Sequence, residues 1–207
     1  VYINIGEYEL AENYLTKVVN LKPDFLMAFQ NLFNLYLNIN QREKAEEALY
    51  KCLEIDPKNI LSLSNIGRLL LEKGDFDKAK QFINKSINLK PDFWIGFNNL
   101  ATLEASLGNL SEAEKNFQKV IQLNPKFFEA YVNLGEIKID LNKISEAETL
   151  FIKSLEIKKD YSFAFCSLLR LHEKTNNIKK LKQILDAHIG SDFFKNELFM
   201  YNSRVLF

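Results

Sequence analysis

The chain has 207 residues, and 27 lysines and arginines balance 27 aspartates and glutamates. That balance excludes the clustered positive footprint of a nucleic-acid binder, and no apolar run approaches the roughly 18 residues that a membrane-spanning helix needs. Two cysteines, Cys52 and Cys166, stand far apart and read as thiols of a reducing compartment, so the expected setting is cytoplasmic, with no membrane partner and no signal peptide.

In chain order, residues 1–5 read as the tail of a helix whose start would precede Val1, so the sequence is expected to be a segment of a longer chain. Gly6-Glu7-Tyr8 makes a turn, and a helix follows from Tyr8 to Asn20. Helix pairs then recur. First helices are expected near 25–38, 59–72, 93–106, 127–140 and 161–174, and second helices near 42–54, 76–88, 110–122, 144–156 and 178–189. The turns within pairs read Asn40-Gln41, Gly74-Asp75, Gly108-Asn109, Asn142-Lys143 and Asn176-Asn177; Gly and Asn best tolerate the left-handed conformation that closes a helix. Pro23, Pro57, Pro91 and Pro125 follow second helices, because proline cannot donate to a helix and restrains the residue before it. Beyond Gly190, Ser191 or Asp192 can cap a last helix through about Arg204. Its Phe193, Phe194, Leu198 and Phe199 are expected to pack back on the preceding pair, while Val205-Leu206-Phe207 leads into further chain.

The prolines are spaced by 34 residues, with Lys159 at the fifth place, and Ala11, Ala45, Ala79, Ala113 and Ala147 keep the same period. Units of two helices cannot bury their own apolar faces, so neighbours must stack into a continuous core. If Leu26, Ile60, Trp94, Phe128 and Ser162 are position 1, then position 4 is Phe29, Leu63, Phe97, Tyr131 and Phe165. Position 7 is Leu32, Ile66, Leu100, Leu134 and Leu168, position 8 is small at Gly67, Ala101 and Gly135, and position 24 is Leu15, Leu49, Ile83, Phe117 and Phe151. Over roughly residues 2–190 this pattern resembles the tetratricopeptide repeat (TPR). The resemblance implies an all-α fold, a right-handed α-solenoid (superhelix) of helix-turn-helix units. Residues 1–207 would form a single array: a partial repeat 1–25, full repeats 26–59, 60–93, 94–127 and 128–161, a degenerate fifth repeat 162–190 and a C-terminal helix 191–207. The chain departs from the pattern at Phe33 and Leu169 in position 8, at Leu181 where the family has Ala, and at Phe193 where it has Pro. Bulky residues at positions that bring two backbones together should splay the pair.

Nothing in the sequence assembles chemistry. There is no Gly-rich phosphate loop, no CxxC, no His-x-x-x-His and no Ser/His/Asp grouping, so no catalytic residue, metal or cofactor is expected, and the chain is read as not an enzyme. His172 and His188 fall at inward positions and read as packing residues, Cys52 reads as a small buried hydrophobe, and Cys166 is the thiol on the open face. Charge-rich stretches 41–47, 75–80 and 179–182 read as solvated faces with i,i+4 pairing. Phe93-Trp94 and, one repeat later, Phe127-Phe128 can be read as a stacking platform. They read better as residues that start first helices and pack between neighbouring repeats, with Trp94 the one expected to be partly exposed.

Positions 2, 5, 6, 9, 12 and 13 share the side of the first helix opposite its partner, the side that lines the concave surface in the family. Position 6 is Asn31, Asn65, Asn99, Asn133 and then Ser167. Asparagine is poor for helicity, and two readings fit its recurrence. The amides bond within the array, as is common at this position in the family, or they form a ladder that offers donors and acceptors to an extended peptide backbone. A similar ladder lines the repeats of O-linked N-acetylglucosamine transferases. By that resemblance the peptide-binding residues are Asn31, Asn65, Asn99 and Asn133, with Asn98, Arg68 and Glu136 beside them on a neutral, polar face that turns acidic in the fourth repeat. The basic residues of a chaperone carboxylate clamp are missing, since the face supplies only Arg68 and, three repeats on, Arg170 and Lys174. The expected function is a protein–protein interaction module that binds a peptide or partner segment on its concave face. The alternative is the substrate-recruiting repeat region of a larger enzyme such as a glycosyltransferase or sulfotransferase. Self-association through exposed array ends is a third expectation.

Overall fold

In the computed structural model the described residues, 7–177 with 179, 180, 183 and 184, form ten α-helices and no strand. They are α1 Tyr8–Leu21, α2 Leu26–Asn38, α3 Arg42–Ile55, α4 Ile60–Lys73, α5 Phe76–Leu89, α6 Trp94–Ser106, α7 Leu110–Leu123, α8 Phe128–Asp140, α9 Ile144–Ile157 and α10 Ser162–Lys174. The expected elements at 1–5 and 191–207, and most of the one near 178–189, lie outside the described residues. The result is an all-α helical-repeat fold of the solenoid class.

The helix ends follow from the punctuation. Asn40, Gly74, Gly108, Asn142 and Asn176 all take positive φ, from 52° to 82°, the left-handed closure that only Gly and Asn adopt readily. At the other end of each pair the chain turns through a recurring backbone bond, in which the N–H of Phe25, Asn59, Phe93, Phe127 and Tyr161 donates to the carbonyl three residues back. The last of these turns forms at 3.2 Å although Lys159 replaces the proline, and α9 still ends at Ile157. The turn geometry is therefore sufficient to stop the helix, and proline reinforces it.

The chain divides into two compact units, Val1–Leu103 and Glu104–Phe207, and the division falls inside α6. In the first unit Leu35, Leu49, Ile66, Ile83 and Leu103 are buried together; in the second, Val132, Phe151, Ala164, Leu168 and Leu171. All five alanines of the 34-residue series are buried, as expected where the two helices of a pair meet. The glycines at position 8 do the same work. A Cβ on Gly67 would lie 2.5 Å from Ile83 Cγ1, and one on Gly135 would lie 2.4 Å from Phe151 Cε1. Phe33 and Leu169, bulky at that position, are nonetheless buried.

Candidate functional site

The position-6 asparagines do not share one environment. In the first unit Asn31 is exposed and Asn65 half-buried, whereas Asn99 is only 4% exposed. Asn99 Nδ2 donates to the Ser64 carbonyl at 3.1 Å and to Ser64 Oγ at 2.9 Å, so this amide ties α6 to α4. Asn31 and Asn65 have no hydrogen-bond partner among the described residues. Asn98 is half-buried, and its Oδ1 is shut off from water with no donor. Arg68 is drawn into an ionic cluster: it donates to Glu72, which Arg42 of α3 also contacts. Burial, and then the charge of Arg42, lower the Arg68 pKa from its ordinary value. Between these groups stand Met27 and Leu61 at position 2, 60% and 51% exposed.

In the second unit Asn133 is half-buried and also without a partner among the described residues. Glu136 is engaged: Ser167 Oγ donates to its Oε1 at 2.6 Å, and Arg170 Nη2 donates to the same oxygen. The acidic patch expected here is thus partly neutralised from α10, while Glu129 Oε2 is buried with no donor. Phe163, again at position 2, is 70% exposed.

The charged stretches differ from expectation. Within 75–80 Lys78 pairs with Asp75 at i,i+3, whereas in 41–47 Arg42 meets Glu72 and Lys44 meets Glu12, each on another helix. Further i,i+3 pairs form outside these stretches, as in Lys51–Glu54, Lys115–Glu112 and Lys153–Glu156. The glutamates at position 21, however, reach into the next repeat. Glu12 accepts from Tyr36 Oη at 3.0 Å and Lys44 Nζ at 3.2 Å; Glu46 meets Lys73; Glu114 meets Lys138 at 2.8 Å and Lys143 at 3.4 Å; Glu148 meets Lys180, with His172 Nε2 3.6 Å away. Long side chains on a second helix reach the following pair, and half-burial there makes a partner worth more than solvent does. The Tyr36 phenol shows it: burial first, then the hydrogen bond to Glu12, push its pKa up to about 12. The signal was in the sequence, since Glu12, Glu46, Glu114 and Glu148 keep the 34-residue register.

Neither cysteine forms a disulfide; Cys52 is buried, and burial pushes its thiol pKa up, whereas Cys166 is half-buried. His172 is buried as expected, and His188 lies outside the described residues. Among the described residues no three His, Cys, Asp or Glu side chains are grouped to hold a metal ion, and no helix is long and apolar enough to cross a membrane.

Three tetratricopeptide-repeat family models match the chain, one at residues 1–25 and 28–59, a second at 48–81 and a third at 104–164. The chain belongs to the tetratricopeptide repeat family. No curated protein matches it. Among solved structures it is similar to PilW, described as a widely conserved type IV pilus biogenesis factor, with 16% identity, a TM-score of 0.84, and coverage of 97% of this chain and 93% of that one. It is also similar to YrrB, described as a TPR protein with an unusual peptide-binding site, at 21% identity and a TM-score of 0.63 over 92% of this chain and 98% of that one. In the Cut9–Hcn1 assembly of the APC/C the match covers 100% of this chain but 41% of the other, at 15% identity and a TM-score of 0.81. At such identities the likeness establishes the fold. A tetratricopeptide array of this kind fits a protein-interaction scaffold.

Proposed function

We propose that residues 1–207 act as one array that holds an extended peptide or partner segment on its concave face, as a binding module rather than an enzyme. The observation that carries this reading is the composition of the first-helix face. Amides without partners (Asn31, Asn65, Asn133) alternate there with large apolar side chains left exposed at position 2 (Met27, Leu61, Phe163). Amides suit a peptide backbone, and exposed apolar groups suit its side chains. Packed helices are roughly 8–10 Å apart and an extended chain advances about 3.3 Å per residue, so one asparagine meets about every third peptide residue. Each backbone bond adds roughly 0.5–1.5 kcal/mol net, so the amides give tolerance of sequence and the apolar positions add affinity. The test is selection of binders from a random peptide library against the full chain, followed by binding to the N31A/N65A/N133A variant. Selected peptides should bind the variant at least about tenfold more weakly while its thermal midpoint is unchanged. Equal binding by the two proteins would refute the reading.

A further inference from the structure

We propose that the open face of the second unit carries a subsite for one basic side chain of the bound segment, an arginine or lysine, built from Phe128, Glu129, Tyr161 and Phe163. The proposal rests on the peptide-binding reading above. Tyr161 stands between the other two rings. Its centroid is 4.7 Å from that of Phe128 in an edge-on contact at 71°, and 6.0 Å from that of Phe163 at a tilt of 32°. The three rings therefore form one aromatic surface at the starts of α8 and α10. Its inner part already receives a cation: Lys158 Nζ lies 4.8 Å from the Phe128 centroid and 5.9 Å from that of Tyr161. Among the described residues of this unit the outer ring, Phe163, has no cation over it and is the most exposed large apolar side chain.

The carboxylate decides the occupant. Glu129 follows Phe128 directly, and its Oε2 is sealed from water without a donor. Its charge, second to burial, holds the Tyr161 phenol above its ordinary pKa. Glu136, another acidic group on this face, is satisfied by Ser167 and Arg170. A purely apolar occupant would cover Glu129 and leave its charge unpaired, which is unfavourable. A cation on the exposed Phe163 ring instead pairs with the Glu129 charge through the carboxylate oxygen that is not sealed. Arginine suits the pair better than lysine, because its planar guanidinium stacks on a ring while donating sideways to a carboxylate.

The test uses blocked nonapeptides of serine and glycine with arginine, lysine, citrulline or glutamate at the centre, titrated into the full chain and followed by backbone amide shifts in NMR. The arginine and lysine peptides should move the amides of Glu129 and Phe163 and bind about fivefold tighter than the citrulline peptide. That preference should vanish in E129Q and shrink in F163A, a largely exposed position (70%) whose truncation should leave the thermal midpoint within about 2 °C of the parent. Equal binding of all four peptides, with shifts at Asn65 and Asn133, would overturn the subsite and leave the binding module standing. Shifts with none of them would overturn both. Unchanged preference in E129Q would assign the charge selectivity elsewhere and overturn the subsite.

Discussion

Lys138 is the sharpest place to test how neighbouring repeats are joined. It occupies a position where Leu70 stands two repeats earlier, and it is 5% exposed. Its ammonium donates to Glu114 of α7 at 2.8 Å and to Glu146 of α9. Burial opposes its charge, yet the two carboxylates more than offset this and hold its pKa above the ordinary value. Replacing Lys138 with Met keeps the volume and removes the charge. Breaking a fully buried pair from one side costs roughly 3–5 kcal/mol. Here Glu146 can turn to water, and Glu114, 17% exposed, keeps Lys143 at 3.4 Å, so about 2 kcal/mol is expected. In a chain of this size that lowers the thermal midpoint by about 4–8 °C. Urea unfolding followed by far-UV circular dichroism would measure it, with the slope compared to confirm that the same surface unfolds. Adding E114Q should restore most of the loss, since the stranded charge is then gone. A loss in K138M below about 0.5 kcal/mol, or a double variant less stable than the single, would refute the reasoning.

Acidification should weaken the last described pair. His172 is held below its ordinary pKa of 6.5 by burial, with Lys180 adding to this and Glu148 opposing it. The unfolded chain then binds the proton first, so stability falls as pH drops through 6.5 and levels off below the folded value; H172L should abolish that slope in thermal midpoints taken between about pH 8 and pH 5. Gly135→Ala would place a methyl group 2.4 Å from the Phe151 ring, and the strain should exceed the gain in helix propensity, for a net loss of about 1–2 kcal/mol in urea unfolding. Asn99→Ala should cost about 1 kcal/mol through the lost bonds to Ser64, whereas Asn31→Ala on the exposed face should be neutral within about 0.5 kcal/mol. Equal effects of the two would contradict the difference in their surroundings.

Much of the fold was legible because backbone punctuation is local. Asn40, Asn142 and Asn176 close helices by the same left-handed geometry as Gly74 and Gly108, and each reads directly from residue type. The face was legible only in part. Asn31, Asn65 and Asn99 look alike in sequence, but Asn99 follows a repeat whose position 5 is Ser64, small enough for the amide to reach the main-chain carbonyl; before Asn65 that position is the longer Gln30. Which asparagine is consumed depends on the neighbour across the stack, which no single-repeat pattern contains. The same holds for Glu136, whose partner Arg170 stands 34 residues away. The glutamates at position 21 were hidden for a different reason: charge in a helical stretch suggests solvent, and only the shared register shows that these four face the next repeat.

Those contacts make the order of the repeats matter. In two seams position 11 of one repeat meets position 21 of the one before it, as Tyr36 meets Glu12 and Lys138 meets Glu114, while Glu46 reaches past Leu70 at position 11 to Lys73. If residues 60–93 were excised in frame, the helical pattern would be uninterrupted, but Glu104, at position 11, would come to face Glu46. A buried and a half-buried carboxylate would then oppose each other where Glu12, Glu114 and Glu148 each meet an unlike partner. Repeats that look interchangeable by their apolar pattern are thus keyed to their predecessors, and duplicating or deleting one would require a compensating change of charge at the new junction.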